Sequence, residues 1–308
     1  MALLLLRYRV PVLALLVLAG VCGLFCAGDD AGDGNGHVVG AESCLAVNGH
    51  AALADRRYNA VAYMTTHNAN SSQAQHYFFP NQISGMAQQL ADGVRALMID
   101  VHRDNGVAML CHGDCRFGKQ DLVEGLGEVS AFMDAHPDEV VTILLEPSGV
   151  RAKTLARAFA DSGLLKHAYA HNPAHGWPVL REMVEIGQRL VVFTNQDTAG
   201  YPWLHAMWDY MWDTPWHVRS IEDFDCEHGR GHPDNDLFVL NHFISNPLPS
   251  PEAAQEANAA PVLLERALAC WRASGRIPNF VAVDYYEFGD VRRVVDELNG
   301  LADSGTCP

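Results

Sequence analysis

The sequence predicts an α/β fold of the TIM type, a (β/α)8 barrel that is distorted or incomplete. Along residues 41–308, short apolar runs of strand length alternate with longer segments of helical periodicity, as expected for parallel β/α units. Several of the apolar runs stop at an acidic, amide or imidazole side chain. The length of this region is close to the roughly 250 residues of a typical (β/α)8 barrel, and no internal repeat indicates a second domain.

The segment before the barrel has the features of an export signal. In residues 1–27, Arg7 and Arg9 precede the apolar run 10–27, which predicts a signal peptide or, if uncleaved, an N-terminal membrane anchor. A lipid-modified Cys22 or Cys26 is a less favoured alternative. Residues 28–40, rich in Gly and Asp, predict a flexible linker. We therefore expect a secreted or cell-envelope protein whose barrel domain spans residues 41–308.

Polar side chains end the first three predicted strands. The first apolar run ends at His67 and Asn68, the second at Asp100 and the third at His112. Because the carboxyl ends of parallel strands converge on one crevice, we expect these groups to form a single site. Two histidines in one site can serve as general base and general acid. The alternative, for each residue taken alone, is an ordinary polar strand end.

The alternation of helices and strands continues to the end of the chain. Helices are predicted at residues 119–135, 152–163, 179–186, 252–273 and 291–301. Strands are predicted at residues 140–145, 189–193, 237–240 and 280–283, and residues 164–170 form an uncertain additional strand. The first of these strands ends at Glu146, and the last ends at Asp284. Both carboxylates are therefore expected at the same end of the barrel.

Charge and aromatic content restrict the partners. A formal charge of -16 with 21 Lys and Arg residues argues against nucleic acid as a partner and against simple electrostatic docking on anionic lipid.

The segment 201–216 is rich in Trp and Tyr, and core packing is the favoured interpretation for most of these residues. The alternative is a rim that stacks on a sugar ring or contacts a membrane surface. His102 and His242 are secondary candidates that we expect to be structural.

Six cysteines follow the export segment, an even number that predicts disulfides in an exported chain. The spacing of Cys111 and Cys115 allows a disulfide or a metal pair. Further Cys or His ligands at zinc-site spacing are not found in the sequence, so a disulfide is favoured. Cys226 with Cys270 is the next pair that we expect. This leaves Cys44 and Cys307, whose pairing with each other stays open.

Three motifs together resemble the phosphatidylinositol-specific phospholipase C X-domain family, or PLC-like phosphodiesterase superfamily. They are Thr66-His67-Asn68-Ala69, Gly93-Val94-Arg95 with Asp100, and Leu110-Cys111-His112-Gly113. The resemblance extends loosely from about Cys44 to the strand at 280–286. It implies attack of the inositol 2-hydroxyl on phosphorus, with a cyclic phosphate and diacylglycerol as products. A phosphoinositide or related phosphodiester is therefore the expected partner.

The resemblance also implies roles for individual residues. His67 is the expected general base and His112 the expected general acid, and Asp284 would orient His67 as a carboxylate commonly orients a catalytic imidazole. Arg95 would contact the phosphate or support the site structurally.

A cation near the phosphate is a further implication of the resemblance. Some family members supply an arginine on the second strand, and others bind Ca2+. In this chain Asp100 ends that strand, and Asn68 and Glu146 add oxygen ligands of the kind that Ca2+ prefers. Met98 stands where calcium-dependent relatives have a second acidic residue. We therefore expect a weak Ca2+ site, which suits an extracellular enzyme.

Two alternatives stay open at this point. A glycerophosphodiester phosphodiesterase or sphingomyelin-cleaving barrel would carry a Glu-x-Asp metal motif where this chain has Met98-Ile99-Asp100. A secreted binding protein could have kept the barrel and lost turnover. Retention of His67 and His112 argues against this second alternative, whereas Met98 supports it.

Overall fold

The structure, a computed structural model, describes residues 45–301, and these fold around a curled sheet. The strands in chain order are β1 Tyr63–Thr66, β2 Ala96–Asp104, β3 Val107–Leu110, β4 Gln120–Asp121, β5 Val141–Ser148, β6 Leu190–Thr194, β7 Leu204–Ala206, β8 Met211–Asp213, β9 Leu237–Asn241 and β10 Phe280–Val283. Eight of the described strands pair in parallel in the order β7-β6-β5-β2-β1-β10-β9-β8. The predicted α/β barrel is therefore confirmed.

The barrel is incomplete, as the sequence predicted. In the described part of the chain, β7 and β8 are the two ends of the sheet order and do not pair with each other. β3 and β4 extend β2 as an antiparallel hairpin instead of joining the barrel wall. The sequence did not predict β7 and β8, because strands of three residues are too short to show an alternating pattern. The predicted strand at 164–170 is wrong, since this region forms a 3-10 helix at Leu164–His167 and a single bridge from Ala168 to Leu190.

Helices cover the outside of the sheet and close its amino end. They are α1 Ala51–Ala54, α2 Met86–Ala91, α3 Leu122–Ala135, α4 Ala152–Asp161, α5 Leu180–Glu185, α6 Met207–Tyr210, α7 Pro251–Ala257, α8 Ala260–Ser274 and α9 Val291–Leu298. α3 starts after Asp121, whose carboxylate caps the helix by accepting from the Val123 and Glu124 amides. In residues 45–301, no helix is both long and apolar enough to cross a membrane.

The predicted helix at 252–273 is two helices. Pro261 has no amide hydrogen to donate to the Ala257 carbonyl, so the helix stops and starts again with Pro261 in the first turn of α8, where proline is tolerated. The free carbonyl of Ala257 is used elsewhere, because it accepts a hydrogen bond of 2.9 Å from His242 Nε2. This break therefore links the helical layer to the carboxyl end of β9.

Alternate side chains of each strand enter two hydrophobic cores. On β2, Leu97 and Ile99 pack outward against the helices, whereas Ala96 and Met98 join the core inside the barrel. Burial of such large apolar side chains contributes about 1.5–3 kcal/mol each. The predicted export segment at 1–27, the linker at 28–40 and the pair Cys44 with Cys307 lie outside the described residues.

Candidate active site

The inward-facing row of each barrel strand changes from apolar to polar at the carboxyl end. On β2 the inward residue Met98 is followed on the same face by Asp100, and on β5 Leu144 is followed by Glu146. This follows from the period of two along a strand. By the same period, polar residues that face inward at this end include His67, Asp213, Asn241 and Asp284. The barrel therefore has an apolar interior and a polar carboxyl face.

His67 is held from two directions at this face. Its Nδ1 lies 2.8 Å from Asp284 Oδ1, and its ring stacks on Phe243 with centroids 3.6 Å apart and planes within 4°. Asp284 Oδ1 also accepts from Asn81 Nδ2 at 3.0 Å. With its Nδ1 hydrogen donated to the carboxylate, the imidazole has its basic lone pair on Nε2. The expected His67–Asp284 pair is present in the structure.

His112 contacts the first motif through Asn68. Asn68 Nδ2 donates to His112 Nε2 at 3.3 Å, which makes His112 an acceptor and places its proton on Nδ1. Burial, together with the nearby His67 and His102, lowers the pKa of His112 to about 4, although Asp284 acts in the opposite direction. In the free site His112 is therefore neutral at pH 7.

The residue directly after His67 and the residue directly after Asp284 have the same unusual backbone conformation. Asn68 has φ 46° and Tyr285 has φ 45°, both in the left-handed region. Asparagine tolerates this conformation, but tyrosine rarely adopts it. Tyr285 is kept there because its amide donates to the Asn81 carbonyl at 2.7 Å and its hydroxyl donates to the Pro80 carbonyl at 2.6 Å. These contacts hold the carboxyl end of β10, which carries Asp284, against the loop that contains Pro80 and Asn81.

Asp100 and Glu146 lie side by side across β2 and β5. Burial and the negative charge of Glu146 together raise the pKa of Asp100 to about 7, although His67 acts in the opposite direction. Glu146 Oε1 lies 3.5 Å from Arg230 Nη1. Two carboxylates thus share a partly buried position beside the histidines.

Arg230 is a functional candidate that the sequence analysis missed. Its Nε and Nη2 donate to Asp213 Oδ2 at 2.9 and 2.6 Å, and its guanidinium lies 4.5 Å from the Trp208 ring centroid and 5.8 Å from that of Trp216. It reaches Glu146 from the long loop after β8. Arg230 therefore brings a cation to the polar face.

Comparisons with known proteins identify the family of the chain. The PI-PLC X family model, described as PI-PLC X 1, matches residues 53–299. The chain belongs to the PI-PLC X family. It is 31% identical over 285 residues to a PI-PLC X domain-containing protein of Arthroderma benhamiae, covering 83% of this chain and 90% of that protein. It is also 31% identical over 272 residues to a PI-PLC X domain-containing protein of Arabidopsis thaliana, covering 79% of this chain and 62% of that protein.

Solved structures show the same fold for this PI-PLC X protein. A phosphatidylinositol-specific phospholipase C from Staphylococcus aureus superposes with TM-score 0.54 at 12% identity, covering 79% of this chain and 94% of that chain. The corresponding enzyme from Listeria monocytogenes superposes with TM-score 0.52 at 12% identity, covering 80% and 95%. At these identities the likeness shows the fold alone, a barrel of the same type.

Arg95 of this PI-PLC X protein is not part of the site. It precedes β2 at the amino end of the barrel, where its Nε donates to Glu139 Oε2 at 2.7 Å and its Nη1 donates to the Leu90 and Val94 carbonyls. Its expected phosphate contact is therefore wrong, and the alternative of structural support describes its contacts. Arg230 is a cation that does lie at the polar face.

The secondary histidines and the aromatic segment take mostly structural positions. His242 is buried, donates from Nε2 to the Ala257 carbonyl and accepts at Nδ1 from Arg266 Nη1 at 3.0 Å. His102 lies near the end of β2, where burial lowers its pKa. Trp212 is buried in the core, whereas Trp216 is 42% exposed beside Arg230.

Two disulfides confirm the predicted cysteine pairs in the described region. Cys111 and Cys115, with Cα atoms 5.2 Å apart, close the loop that carries His112. Cys226 and Cys270 join the loop after β8 to α8. The first pair therefore acts directly on the position of a candidate catalytic residue.

The sequence feature that could have identified Arg230 is the pair of glycines on either side of it, Gly229 and Gly231. At Gly231, with φ 80°, an added Cβ would overlap the Met211 carbonyl, and at Gly229 it would lie 2.7 Å from Asp213 Oδ1. Both positions exclude a side chain because the loop packs closely against β8. The two glycines therefore fix the backbone on both sides of Arg230 against β8.

Proposed function

We propose that this PI-PLC X protein is a phosphoric diester hydrolase of the phosphatidylinositol-specific phospholipase C type. The observation that carries the proposal is the pair His67 Nδ1–Asp284 Oδ1 at 2.8 Å, with His112 on a separate loop of the same face. The carboxylate directs the basic Nε2 of His67 away from Asp284 and stabilises the imidazolium that forms when His67 takes a proton. The second histidine provides a separate proton donor.

The reaction that fits this arrangement is an internal displacement at phosphorus. His67 Nε2 takes the proton of a substrate hydroxyl adjacent to the phosphodiester, and that oxygen attacks phosphorus. The bond from phosphorus to the leaving oxygen breaks, and His112 donates a proton to this oxygen. The products are a cyclic phosphate and an alcohol, which is diacylglycerol for a phosphatidylinositol.

His112 must carry a proton to act as the acid. Its pKa of about 4 belongs to the site without substrate, where burial and two other histidines disfavour the charged form. A bound phosphodiester adds a negative charge beside the imidazole and raises its pKa. Substrate binding therefore prepares the acid for its role.

The donor set at the polar face fits a weak Ca2+ site. Asp100 and Glu146 are adjacent hard oxygen ligands, and the raised pKa of Asp100 reflects the burial and like charge that a divalent cation would relieve. We assign Asn68, Asp100 and Glu146 as the ligands. When bound, Ca2+ would neutralise charge that develops on the phosphate oxygens. In the described region, no group of three or more His, Cys, Asp or Glu side chains is arranged for a metal ion, so the site depends on the amide.

The proposed substrate is a phosphoinositide or a related phosphodiester. Asp213 and Arg230, between the rings of Trp208 and Trp216, supply the hydrogen-bonding and stacking groups that suit a polyhydroxylated ring. The two solved enzymes that share the fold are phosphatidylinositol-specific phospholipases C. This similarity supports an inositol headgroup.

The proposed location is outside the cytoplasm, as a secreted or cell-envelope protein. A relative of Arthroderma benhamiae, 27% identical over 290 residues and covering 84% of this chain and 65% of that protein, is named an uncharacterized secreted protein. The predicted export segment at 1–27 agrees with that name.

The test of function is an assay of the purified protein against phosphatidylinositol, sphingomyelin and a glycerophosphodiester, with Ca2+ or with chelator. The proposal expects turnover of phosphatidylinositol with a cyclic phosphate detected by phosphorus NMR. Preference for sphingomyelin or the glycerophosphodiester would contradict the substrate class. Binding of phosphatidylinositol without any product would support the alternative of a binding barrel, which Met98 favours.

A further inference from the structure

A small cavity lies beside Asp284, the carboxylate that orients the proposed base His67. Its volume is about 10 Å³, and its lining includes Asp284, Asn258, Ser250 and Phe243. One water molecule needs roughly 10–15 Å³ of such space, together with polar groups to bind. The cavity therefore has room for one water molecule, and the polar atoms around it decide whether a water is bound there.

Asp284 uses one of its two carboxylate oxygens in the contacts that the structure describes. Oδ1 lies 2.8 Å from His67 Nδ1 and accepts from Asn81 Nδ2 at 3.0 Å. Oδ2 is buried and has no hydrogen-bond donor among residues 45–301, and the residue as a whole is 3% exposed. A buried carboxylate oxygen without a donor loses its hydration and gains nothing in return. Oδ2 therefore requires a donor from elsewhere.

Asn258 brings a second unpaired oxygen to the same cavity. Its Nδ2 donates to the Asp284 carbonyl at 2.9 Å and to the Tyr285 carbonyl at 3.4 Å, which fixes the orientation of the amide. Its Oδ1 is buried and has no donor in the described part of the chain. Exchanging the amide oxygen and nitrogen would not help, because the oxygen would then face two carbonyls. Asn258 Oδ1 therefore also requires a donor.

Ser250 supplies the complementary donor. Its Oγ accepts from the Ala253 amide at 3.1 Å as the N-cap of α7, so its hydroxyl hydrogen is available to a group in the cavity. His242 also lines the cavity, but its Nε2 donates to the Ala257 carbonyl and its Nδ1 accepts from Arg266. The cavity thus offers two acceptors and one donor, which is the complement of a water molecule.

We propose that the cavity is a binding site for one internal water molecule that positions Asp284. The water donates to Asp284 Oδ2 and to Asn258 Oδ1 and accepts from Ser250 Oγ, which matches the roughly three hydrogen bonds of a typical buried water. With Oδ2 held in this way, the carboxylate keeps Oδ1 directed at His67. Ser250 and Asn258 are then positioning residues that act through the water.

The site also gives a role to the break between α7 and α8. Asn258 is the C-cap of α7, and Ser250 is its N-cap, so both ends of this short helix contribute to the site. The importance of the water for turnover rests on the proposed function, whereas its binding does not.

The first test is a high-resolution crystal structure of the purified protein, with crystals grown in sodium salts and in thallium(I) salts. A water should give one density peak within hydrogen-bond distance of both Asp284 Oδ2 and Asn258 Oδ1, without anomalous signal in either crystal. An anomalous thallium peak would show that the site binds a monovalent cation instead. That result, or no density at this position, would overturn the proposal.

The second test displaces the water with an added side chain. Ala254 is buried in α7 and lines the cavity, so Ala254→Val fills the space with methyl groups that cannot donate. Ala253→Val is the matched control, because it makes the same change in the same helix at a residue outside the cavity lining. A crystal structure of Ala254→Val should lack the water and keep the stacking of Phe243 on His67.

The readout of positioning is the proton NMR resonance of His67 Nδ1–H. It should move downfield in Ala254→Val, because a carboxylate that loses one donor accepts more strongly from the donors that remain, and kcat should fall by about tenfold. Ala253→Val should match the parent in both. Equal resonances in the two variants would contradict the positioning role.

Ser250→Gly is the second variant if Ala254→Val does not fold. Glycine at an N-cap costs little stability relative to serine, so this change removes mainly the hydroxyl that donates to the water. The His67 resonance should again move downfield, and an unchanged resonance would contradict the role of Ser250. A water and a resonance shift without turnover of any substrate would support this site and contradict the enzyme assignment.

Discussion

His67 and Phe243 stack ring on ring, with centroids 3.6 Å apart and planes within 4°. This contact fixes the plane of the imidazole, while Asp284 fixes its rotation about the Cβ–Cγ bond through a hydrogen bond of 2.8 Å. Phe243 follows β9, so the end of a third strand supports the pair of His67 and Asp284, which follow β1 and β10. The geometry of the proposed base thus depends on three strands of the barrel.

We expect Phe243→Leu to lower kcat by about tenfold to a hundredfold, because a small misplacement of a catalytic group has effects of this size. KM should change little, since Phe243 has no polar group for the substrate. A replacement of similar volume should cost less than about 1.5 kcal/mol of unfolding free energy, which chemical denaturation can check. An unchanged kcat in the folded variant would show that the stacking does not position His67.

Two buried histidines predict loss of stability in mild acid. His205 donates from Nδ1 to the Val192 carbonyl and accepts at Nε2 from the His171 amide. His242 likewise uses one nitrogen as donor and the other as acceptor. Both therefore require the neutral ring, and burial lowers the pKa of His205 to about 4 and that of His242 to about 3.

Because both folded pKa values lie below the ordinary 6.5, the unfolded chain binds these protons first. The unfolding free energy should be highest above about pH 6.5 and should fall towards pH 4, by about 1.4 kcal/mol per pH unit for each histidine. Denaturant titrations at pH 7.5 and pH 5 measure the difference. His205→Gln should reduce this pH dependence, and a variant with the same slope as the parent would contradict the assignment.

Calcium binding should be weak and should require Asp100 and Glu146. Isothermal titration calorimetry should detect Ca2+ binding to the parent and not to Asp100→Asn, and chelator should suppress turnover. Met98→Glu should lower the Ca2+ concentration needed, because it adds an acidic ligand on the same strand face. Full activity in excess chelator, together with parent-like behaviour of Asp100→Asn, would direct attention to Arg230 as the counter-charge of the phosphate.

The two disulfides should have different effects when removed. Cys111→Ser with Cys115→Ser should lower kcat, since the bond closes the loop of His112. Cys226→Ala with Cys270→Ala should mainly lower the unfolding free energy, by about 2–4 kcal/mol, because it closes a longer loop. Mass mapping of the native protein should find no free thiol at these four positions. Free thiols at Cys111 and Cys115 would remove the proposed role of their bond.

The sequence could predict those site residues that stand at the ends of recognisable strands. His67, Glu146 and Asp284 each follow an apolar run, and the convergence of parallel strands brings them to one face. Asp213 and Arg230 could not be found in this way, because β8 has three residues and Arg230 lies in the loop after it. The contact between Asp213 and Arg230 depends on the close packing of Gly229 and Gly231 against β8.

Other features depend on contacts between distant segments. The loops that contain Phe78 and Phe117 are joined by a backbone hydrogen bond between these two residues, which no local pattern encodes. The two roles expected for Arg95 could not be told apart from the sequence for a different reason. The family motif places Arg95 at the second strand but does not indicate at which end of that strand it lies. Arg95 precedes the first residue of β2. Position relative to the strand start would have assigned it to the amino end.

The division of proton transfer between His67 and His112 is tested most directly with two soluble inositol phosphodiesters that differ only in their leaving group. A leaving group of low pKa, such as p-nitrophenol, needs little help from a general acid, whereas an alkoxide needs much. The rates of His112→Ala and His67→Ala should be measured on both. His112→Ala should lose about a hundredfold or more on the alkyl ester and far less on the nitrophenyl ester, while His67→Ala should lose activity on both. Equal losses of His112→Ala on the two esters, or near-parent activity on the alkyl ester, would contradict its assignment as the general acid.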